Sequence, residues 1–477
     1  MKIQKFVIMP INGFRSFMME RFKSNIEINS SLGGRLPNER HLNILGSIPP
    51  DGPVLVELSL SEAKRIKESH QFRVFPVTKY KPAIKRMPPL SNKAASVTKP
   101  VGNITISIVD EISGMPVIGA EIFAYIDYTE RIGATGKTDK KGFCILGLPE
   151  GEPVERLFIY PEHSYWGKYK ENIVICNGDR FSVKRIDDFN CDFVRDLYGT
   201  PGSGGGGVRV AIIDTGVDDR YNDMRIKKSV TIINAECAES TPPVFGHGSH
   251  VAGIVGSNRF GLAPNAELYI YNVFGEFTTA TNFDIASAIH MAYQDGCDII
   301  NLSLGGGAPN SLISEAIGEA YDHGTVCIVA AGNDNRAPVS FPASFKRTIP
   351  VTAIGKVSTF PDDSCEVSDV STDIAEFDKS IFLSNFTNVG REVDACAPGV
   401  GIISYWLKGN LAVKSGTSMA CPVVSGIAAR LLSESPDLLH AARNMKRSAK
   451  VVELIQETCN SLGMPQIYEG FGLPGKE

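Results

Sequence analysis

No apolar run in this chain approaches the roughly 20 residues that a membrane-spanning helix needs. The longest, such as Val208 to Ile213, fall far short of that. Excess charge of one sign is missing too: 48 Lys and Arg stand against 53 Asp and Glu, a formal net charge of -5. So small a balance sets up no long-range field for nucleic acid or an anionic membrane. The one local basic stretch, Lys79 to Lys99, reads as a solvated linker. The cysteines lie singly, from Cys144 to Cys459, with no CxxC and no zinc spacing. They are expected as reduced interior thiols and not as a disulfide framework. The glycine run Gly202 to Gly207 lacks the GxxxxGK[ST] spacing and precedes a strand pattern, which leaves a phosphate cradle unsupported. Charged residues Lys2, Lys5, Arg15, Glu20 and Arg21 interrupt the first 22 residues, so these lack the apolar core of a secretory signal and the chain is expected in the cytoplasm.

What remains is an ordinary globular composition, 43% hydrophobic and 21% charged over 477 residues. That length exceeds a single core and divides by pattern into four stretches. Residues 1–77 read as a small α+β domain: strands at Phe6 to Ile8, Val54 to Leu58 and Phe72 to Val77, helices near Phe17 to Phe22 and over Ser61 to Ser69, with Ser61 as N-cap. Residues 78–100 carry Pro82, Pro88, Pro89 and Pro100 and are expected to form an exposed linker. Residues 101–182 change to period two, with Ile104, Ile106 and Ile108 on one face. Further strands at Ala120 to Ile126, Gly142 to Leu146 and Leu157 to Tyr160 predict a small antiparallel β-sandwich without a nucleophile or metal cluster. Residues 183–477 alternate wholly apolar strands (Val208 to Ile213, Glu267 to Val273, Ile299 to Leu302, Val326 to Ala330, Ile349 to Val351) with amphipathic helices. Apolar strands separated by helices require a parallel sheet covered on both faces, a three-layer α/β domain.

Three pieces of that last domain carry chemistry. In "VRVAIIDTGVDD" an apolar strand runs straight into Asp214, and strand C-termini are where functional side chains collect in open parallel sheets. In "GHGSHVAGIVG" the flanking glycines allow tight backbone around His247 at the start of a buried helix. His250 lies one turn on, but no third ligand motif accompanies the pair, so it reads as a packing residue and no metal site is expected. In "KSGTSMACPVVSGIAARLL" small residues lead into Ser418 at a helix start, among free backbone N–H groups that stabilise a nearby oxyanion. The plainer alternative makes Ser418, or Thr417 beside it, an N-cap. A serine hydroxyl attacks only if an imidazole takes its proton and a carboxylate holds that imidazole in the right tautomer.

These three pieces resemble, in family order, the active-site signatures of the subtilisin-like serine proteases. The resemblance covers roughly residues 190–475 and implies a serine endopeptidase with Asp214, His247 and Ser418 as its triad. Asn333, in "VAAGNDN", matches the side-chain donor to the oxyanion, and Gly332 stands beside it. Ser303, Leu304, Gly305 and Gly306, in "NLSLGGG", resemble the strand that pairs with an extended peptide; Ser340, in "VSFPAS", resembles the far end of the primary pocket, and Val273 to Gly275 an edge strand. With no carboxylate at its base that pocket is expected to be mainly apolar. Ser249 and Val423 depart from the commoner Thr and His.

The chemistry implied needs no cofactor. Structural calcium occurs elsewhere in the family, but the acidic stretch Lys356 to Ser380 lacks an EF-hand pattern and reads as a solvated loop. Residues 1–77 resemble the inhibitor-like prodomain of such enzymes, which implies a zymogen held in check by its own N-terminal domain, and 101–182 resemble transthyretin-like or carboxypeptidase-regulatory-like sandwiches. Partners follow: an extended peptide or protein substrate, no nucleic acid and no membrane. Two other readings use the same residues: a regulatory pseudo-protease whose cleft is permanently blocked, and a peptide ligase.

Overall fold

A computed structural model describes residues 3–11, 13, 43–49, 51–68, 70–85, 90, 102–186, 192–199, 202–234, 236–239, 242–306, 308–376 and 378–475. The helix expected at Phe17 to Phe22 lies outside them.

The N-terminal unit is a four-stranded sheet, β1 (Ile3–Pro10), β2 (Asn43–Ser47), β3 (Val54–Ser59) and β4 (Phe72–Pro76) in the order β2-β3-β1-β4, crossed by α1 (Leu60–Glu68). The helix starts at Leu60, two residues before a cap at Ser61 would place it. Ser59 is its cap: the Glu62 N–H donates to Ser59 Oγ at 3.3 Å, and the Ser59 N–H donates back to Glu62 Oε2 at 2.8 Å. That reciprocal pair satisfies two donors that a helix start otherwise leaves open. Because strand side chains alternate, Phe6, Ile8, Val54 and Val56 face α1, while Val7, Met9 and Leu55 point the other way. The second face is buried in the core of the C-terminal domain. At about 1.5–3 kcal/mol for each large apolar side chain taken from water, that contact is a firm one. Arg73 adds a pair of hydrogen-bonded contacts to Glu315.

Next comes β5 (Lys79–Pro82), where an exposed linker was expected. It is the middle strand of a three-stranded sheet in the cleft of the C-terminal domain. Pro82 is no bar, because the neighbouring Ala83 N–H carries the pairing, donating to the Ser303 carbonyl at 3.0 Å.

Residues from Gly102 to Ile186 form the sandwich. One sheet is β11-β10-β7-β8 and the other β12-β6-β9, built from β6 (Ile104–Asp110), β7 (Glu121–Asp127), β8 (Ile132–Lys137), β9 (Phe143–Leu146), β10 (Pro153–Tyr160), β11 (Lys168–Val174) and β12 (Arg180–Val183). It is not wholly antiparallel as expected, since β12 runs parallel to β6. Ile104, Ile106 and Ile108 fill its core with Ile122, Leu146 and Leu157.

The C-terminal domain is a nine-stranded sheet of mainly parallel strands. Its strands are β13 (Arg209–Asp214), β14 (Ile226–Ile233), β15 (Glu236–Glu239), β16 (Glu267–Asn272), β18 (Ile299–Leu302), β20 (Val326–Ala330), β21 (Thr348–Lys356), β22 (Ile381–Leu383) and β23 (Ala395–Pro398). Two short strands, β17 (Ala280–Thr281) and β19 (Leu304–Gly305), flank β5. A short helix α2 (Phe193–Tyr198) leads into the domain; helices α3 (His247–Gly256) and α6 (Thr417–Ser433) cover one face, α4 (Asn282–Gln294) and α5 (Ser311–Asp322) the other. Alternation along β13 assigns the two cores directly. Val210 and Ile212 join the α3/α6 core, Ala211 and Ile213 the α4/α5 core.

The stretch Lys356 to Ser380 is not the solvated loop expected. Its Cys365 is buried with Tyr125, Phe158 and Tyr169 of the sandwich, and Glu366 and Asp369 are buried beside it. Asp363 anchors the contact, accepting from the Tyr169 N–H at 2.8 Å through its carbonyl and pairing with Lys168 Nζ at 2.6 Å. Acidic composition concealed an interdomain seat. Of the described cysteines, Cys144, Cys297, Cys327, Cys365, Cys396 and Cys421 are buried free thiols, but Cys176 and Cys237 are exposed, contrary to a uniformly interior placement.

One buried charge cluster ties the end of β13's lead-in to the C-terminal helices. Asp298 Oδ1 accepts from Arg443 Nη2 at 2.6 Å and Arg447 Nη2 at 2.7 Å, and its Oδ2 accepts from the Arg209 N–H at 2.9 Å. Removing Asp298 leaves the fully buried Arg447 without its carboxylate partner. Asp298→Ala is expected to lower stability by about 3–5 kcal/mol, read as a fall in the urea midpoint.

Candidate active site

Asp214 ends β13 at the carboxyl edge of the sheet, where the backbone leaves the core and the side chain stays under cover. His247 is the first residue of α3. Thr215 joins the two elements: its hydroxyl accepts from the Gly248 N–H at 2.9 Å and donates to the Phe245 carbonyl at 2.9 Å. Only glycine fits at 248, since a methyl there would lie 2.2 Å from the Gly216 carbonyl oxygen. Asp214 Oδ1 accepts from His247 Nδ1 at 2.7 Å and from the Thr215 N–H at 2.7 Å. A proton on Nδ1 leaves Nε2 as the basic nitrogen, and Nε2 has no hydrogen-bond partner among the described residues. Asp214, His247 and Ser418 are all buried.

Ser418 is the second residue of α6, whose N-cap is Gly416 without a side-chain cap bond, so neither Ser418 nor Thr417 is an N-cap. Its hydroxyl donates to the Ser303 carbonyl at 2.9 Å, and the Ser303 hydroxyl donates to the Ser418 carbonyl at 2.9 Å. The structure therefore joins Asp214 to His247 but forms no hydrogen bond between His247 and Ser418. Resting sites often hold such bonds open until substrate reacts.

The occupant of the cleft is the chain itself. In β5, Tyr80 lies opposite Ala280 and Lys79 opposite Thr281, while Lys81 and Pro82 lie opposite Gly305 and Leu304. The edge partner is thus Ala280 to Thr281 and not the Val273 to Gly275 expected. The Ala83 carbonyl oxygen accepts from the Ser418 N–H at 3.1 Å and also from Asn333 Nδ2. Asn333 is held for this by Thr417, whose N–H and Oγ1 donate to Asn333 Oδ1 at 2.9 and 3.0 Å. Two donors converging on one carbonyl have the geometry that stabilises an oxyanion, and the bond presented to them is Ala83–Ile84. Gly416 permits the approach, because a methyl there would lie 2.9 Å from the Ala83 oxygen and 3.1 Å from Ile84 Cα.

Ser303, Leu304 and Gly305 line this segment, whereas the Gly306 N–H donates to the Phe341 carbonyl at 3.1 Å and not to β5. Behind Ala83, a methyl on Gly305 would stand 3.0 Å from Ser340 Oγ, and one on Gly332 would stand 2.7 Å from it. Ser340 Oγ thus lies close to both glycines, where it donates to the Ala331 carbonyl at 3.0 Å. Tyr80, three residues upstream of Ala83, is buried against Phe341 with ring centroids 6.3 Å apart.

His250 is a packing residue. Its Nε2 hydrogen-bonds the Ile402 and Ala412 carbonyls at 3.0 and 3.2 Å, and burial pushes its imidazole down to about 3. Among the described residues no group of three or more His, Cys, Asp or Glu side chains gathers to hold a metal. Thr215 and Thr417 escaped the sequence reading as positioning residues, although each adjoins a motif residue in "DTG" and "GTS".

This geometry meets independent likeness to known proteins. Subtilisin DY from Bacillus licheniformis is 31% identical over 287 residues, 58% of this chain and 92% of that protein. Subtilisin Savinase from Lederbergia lenta is 29% identical over 278 residues, 57% of this chain and 90% of its own. The solved structure of the S41 psychrophilic protease superposes with a TM-score of 0.51 at 27% identity, covering 60% of this chain and 97% of that one. Residues 205–473, the sheet and helices that carry Asp214, His247 and Ser418, match the Subtilase family, and the chain accordingly belongs to that family of serine endopeptidases.

Proposed function

We propose that the protein is a self-inhibited serine endopeptidase that first hydrolyses its own Ala83–Ile84 bond. The observation carrying this reading is the Ala83 carbonyl seated between the Ser418 N–H and Asn333 Nδ2. For reaction, the Ser418 hydroxyl exchanges its bond to Ser303 for one to His247 Nε2. Oγ then attacks the Ala83 carbonyl carbon as Nε2 takes the proton, Asp214 stabilising the imidazolium. Negative charge grows on the Ala83 oxygen, where each preorganised donor is worth about 3–4 kcal/mol of barrier. Collapse breaks the C–N bond, His247 returns the proton to the Ile84 amine, and water hydrolyses the acyl-enzyme by the same steps in reverse roles. No other group enters the chemistry.

Residues 1–77 act as the inhibitor. Their sheet docks on α4 and α5 and delivers β5 into the cleft, so a substrate in trans must displace both. Backbone pairing with β17 and β19 favours extended segments of substrate over folded ones. The buried free thiols support a reducing compartment, and on that ground we assign the protein to the cytoplasm.

The test is direct. The purified full chain is expected to yield a fragment whose N-terminus is Ile84, and to react with a fluorophosphonate at Ser418, mapped by mass spectrometry. An intact chain that never labels would favour a permanently blocked pseudo-protease; labelling at a residue other than Ser418 would remove the assignment.

A further inference from the structure

Downstream of Ala83 the cleft segment enters a cavity of about 650 Å³, walled by the sandwich on one side and the Cys365–Asp369 turn on the other. In an extended chain, alternate side chains share a face. Lys85 therefore points into the protein as Ala83 does, while its N–H donates to the Ser415 carbonyl at 3.0 Å. Its ammonium meets Asp369 Oδ1 at 2.5 Å and Ser368 Oγ at 3.3 Å. Lys85 is 17% exposed and Asp369 only 3%. Beside this pair, Glu366 Oε2 and Asp369 Oδ2 are buried without a hydrogen-bond partner among the described residues. Phe123 and Tyr160 of the sandwich line the outer side.

Two buried carboxyl groups with unused oxygens are costly unless a cation joins them. Burial pushes both Asp369 and Glu366 upward, and Lys85 opposes that shift in each. Burial alone would lower the Lys85 ammonium, yet it is raised, because Asp369 and its neighbours outweigh desolvation. Lys414 lines the same cavity and faces Glu366, burial lowering its ammonium to about 8, so Asp369 is the carboxylate that Lys85 engages directly.

We propose that Asp369 and Glu366 form a specificity pocket for a lysine or arginine side chain two residues beyond the scissile bond, with the sandwich as its outer wall. The inference rests on the endopeptidase reading above. It makes the accessory domain part of substrate selection, and it assigns this chain to substrates with a basic residue just downstream of the cut.

The test uses the full-length protein after self-processing, with active sites counted by fluorophosphonate titration. Internally quenched peptides of sequence KYKPAIX are supplied with X as Lys, Arg, Ala or Glu. Expected kcat/KM is at least about tenfold higher for Lys and Arg than for Ala, the scale of a charge-assisted hydrogen bond, and lowest for Glu. Asp369→Asn should bring the Lys-to-Ala ratio near one, and Asp369→Glu should keep it above one. Should Asp369→Asn fail to fold, the wild-type peptide series decides alone. A protein that labels but cuts only itself is scored instead on Lys85→Ala and Lys85→Glu, whose cleavage at Ala83–Ile84 should slow in that order. Equal rates across X, or across residue 85, at titrated sites overturn the pocket and leave the endopeptidase standing. A wild type that neither labels nor cuts overturns both.

Discussion

Ser418→Ala is expected to leave the chain whole at Ala83–Ile84, to abolish fluorophosphonate labelling, and to lower peptidase turnover by about 10⁶-fold. The fold should survive. The hydroxyl makes one hydrogen bond, to the Ser303 carbonyl, and that carbonyl still accepts from the Ala83 N–H at 3.0 Å. No buried acceptor is orphaned, so the loss in stability stays near 1 kcal/mol. Electrophoresis of the aged protein, labelling and a thermal melt check the three statements separately. A variant that still processes itself at the wild-type rate would take the nucleophile away from position 418.

Asp214→Asn is expected to cut turnover by about 10⁴-fold with little change in melting temperature. Asp214 Oδ1 accepts from both His247 Nδ1 and the Thr215 N–H. An amide whose oxygen takes the place of Oδ1 keeps both bonds but lacks the charge that stabilises the imidazolium. Turned over, it presents N–H to Nδ1, and the imidazole accepts that bond by carrying its proton on Nε2. In that tautomer the nitrogen due to accept the serine proton is already occupied. The check is kcat and kcat/KM on a peptide at matched active-site concentration. Activity within tenfold of wild type would show that the carboxylate is dispensable.

The catalytic half of the molecule was legible because its signals are local. Val208 to Ile213 can only be a strand buried on both faces, and Asp214 breaks it at the point where a parallel sheet exposes its functional edge. The three motifs then named their own partners. What escaped were contacts made across large sequence distances. Tyr80 and Pro82 looked like a linker because the strands that pair with them, at Ala280 and Leu304, lie 200 and 222 residues away. Glu366 and Asp369 looked solvated because the lysine that neutralises one of them, Lys85, belongs to another domain. In the sandwich, β8 escaped notice because Gly133 and Gly136 erase its alternation. The cap at Ser59, by contrast, was legible locally, since Ser59 and Glu62 stand at the three-residue spacing of a reciprocal capping pair.

The position of Ala83–Ile84 between two domains gives self-cleavage an unequal outcome. Residues 1–83 would be held afterwards only by noncovalent contacts, to α4 and α5 and through β5 to β17 and β19, so dilution can strip them from the enzyme. Ile84 and Lys85 instead become the head of a leash that runs into the sandwich, and the sandwich is continuous with the catalytic chain. A short leash maintains a local concentration on the order of millimolar that no dilution lowers. One half of the cleft would open by mass action, while the other would stay under competition from the enzyme's own cut end until a substrate bearing a cation evicts it.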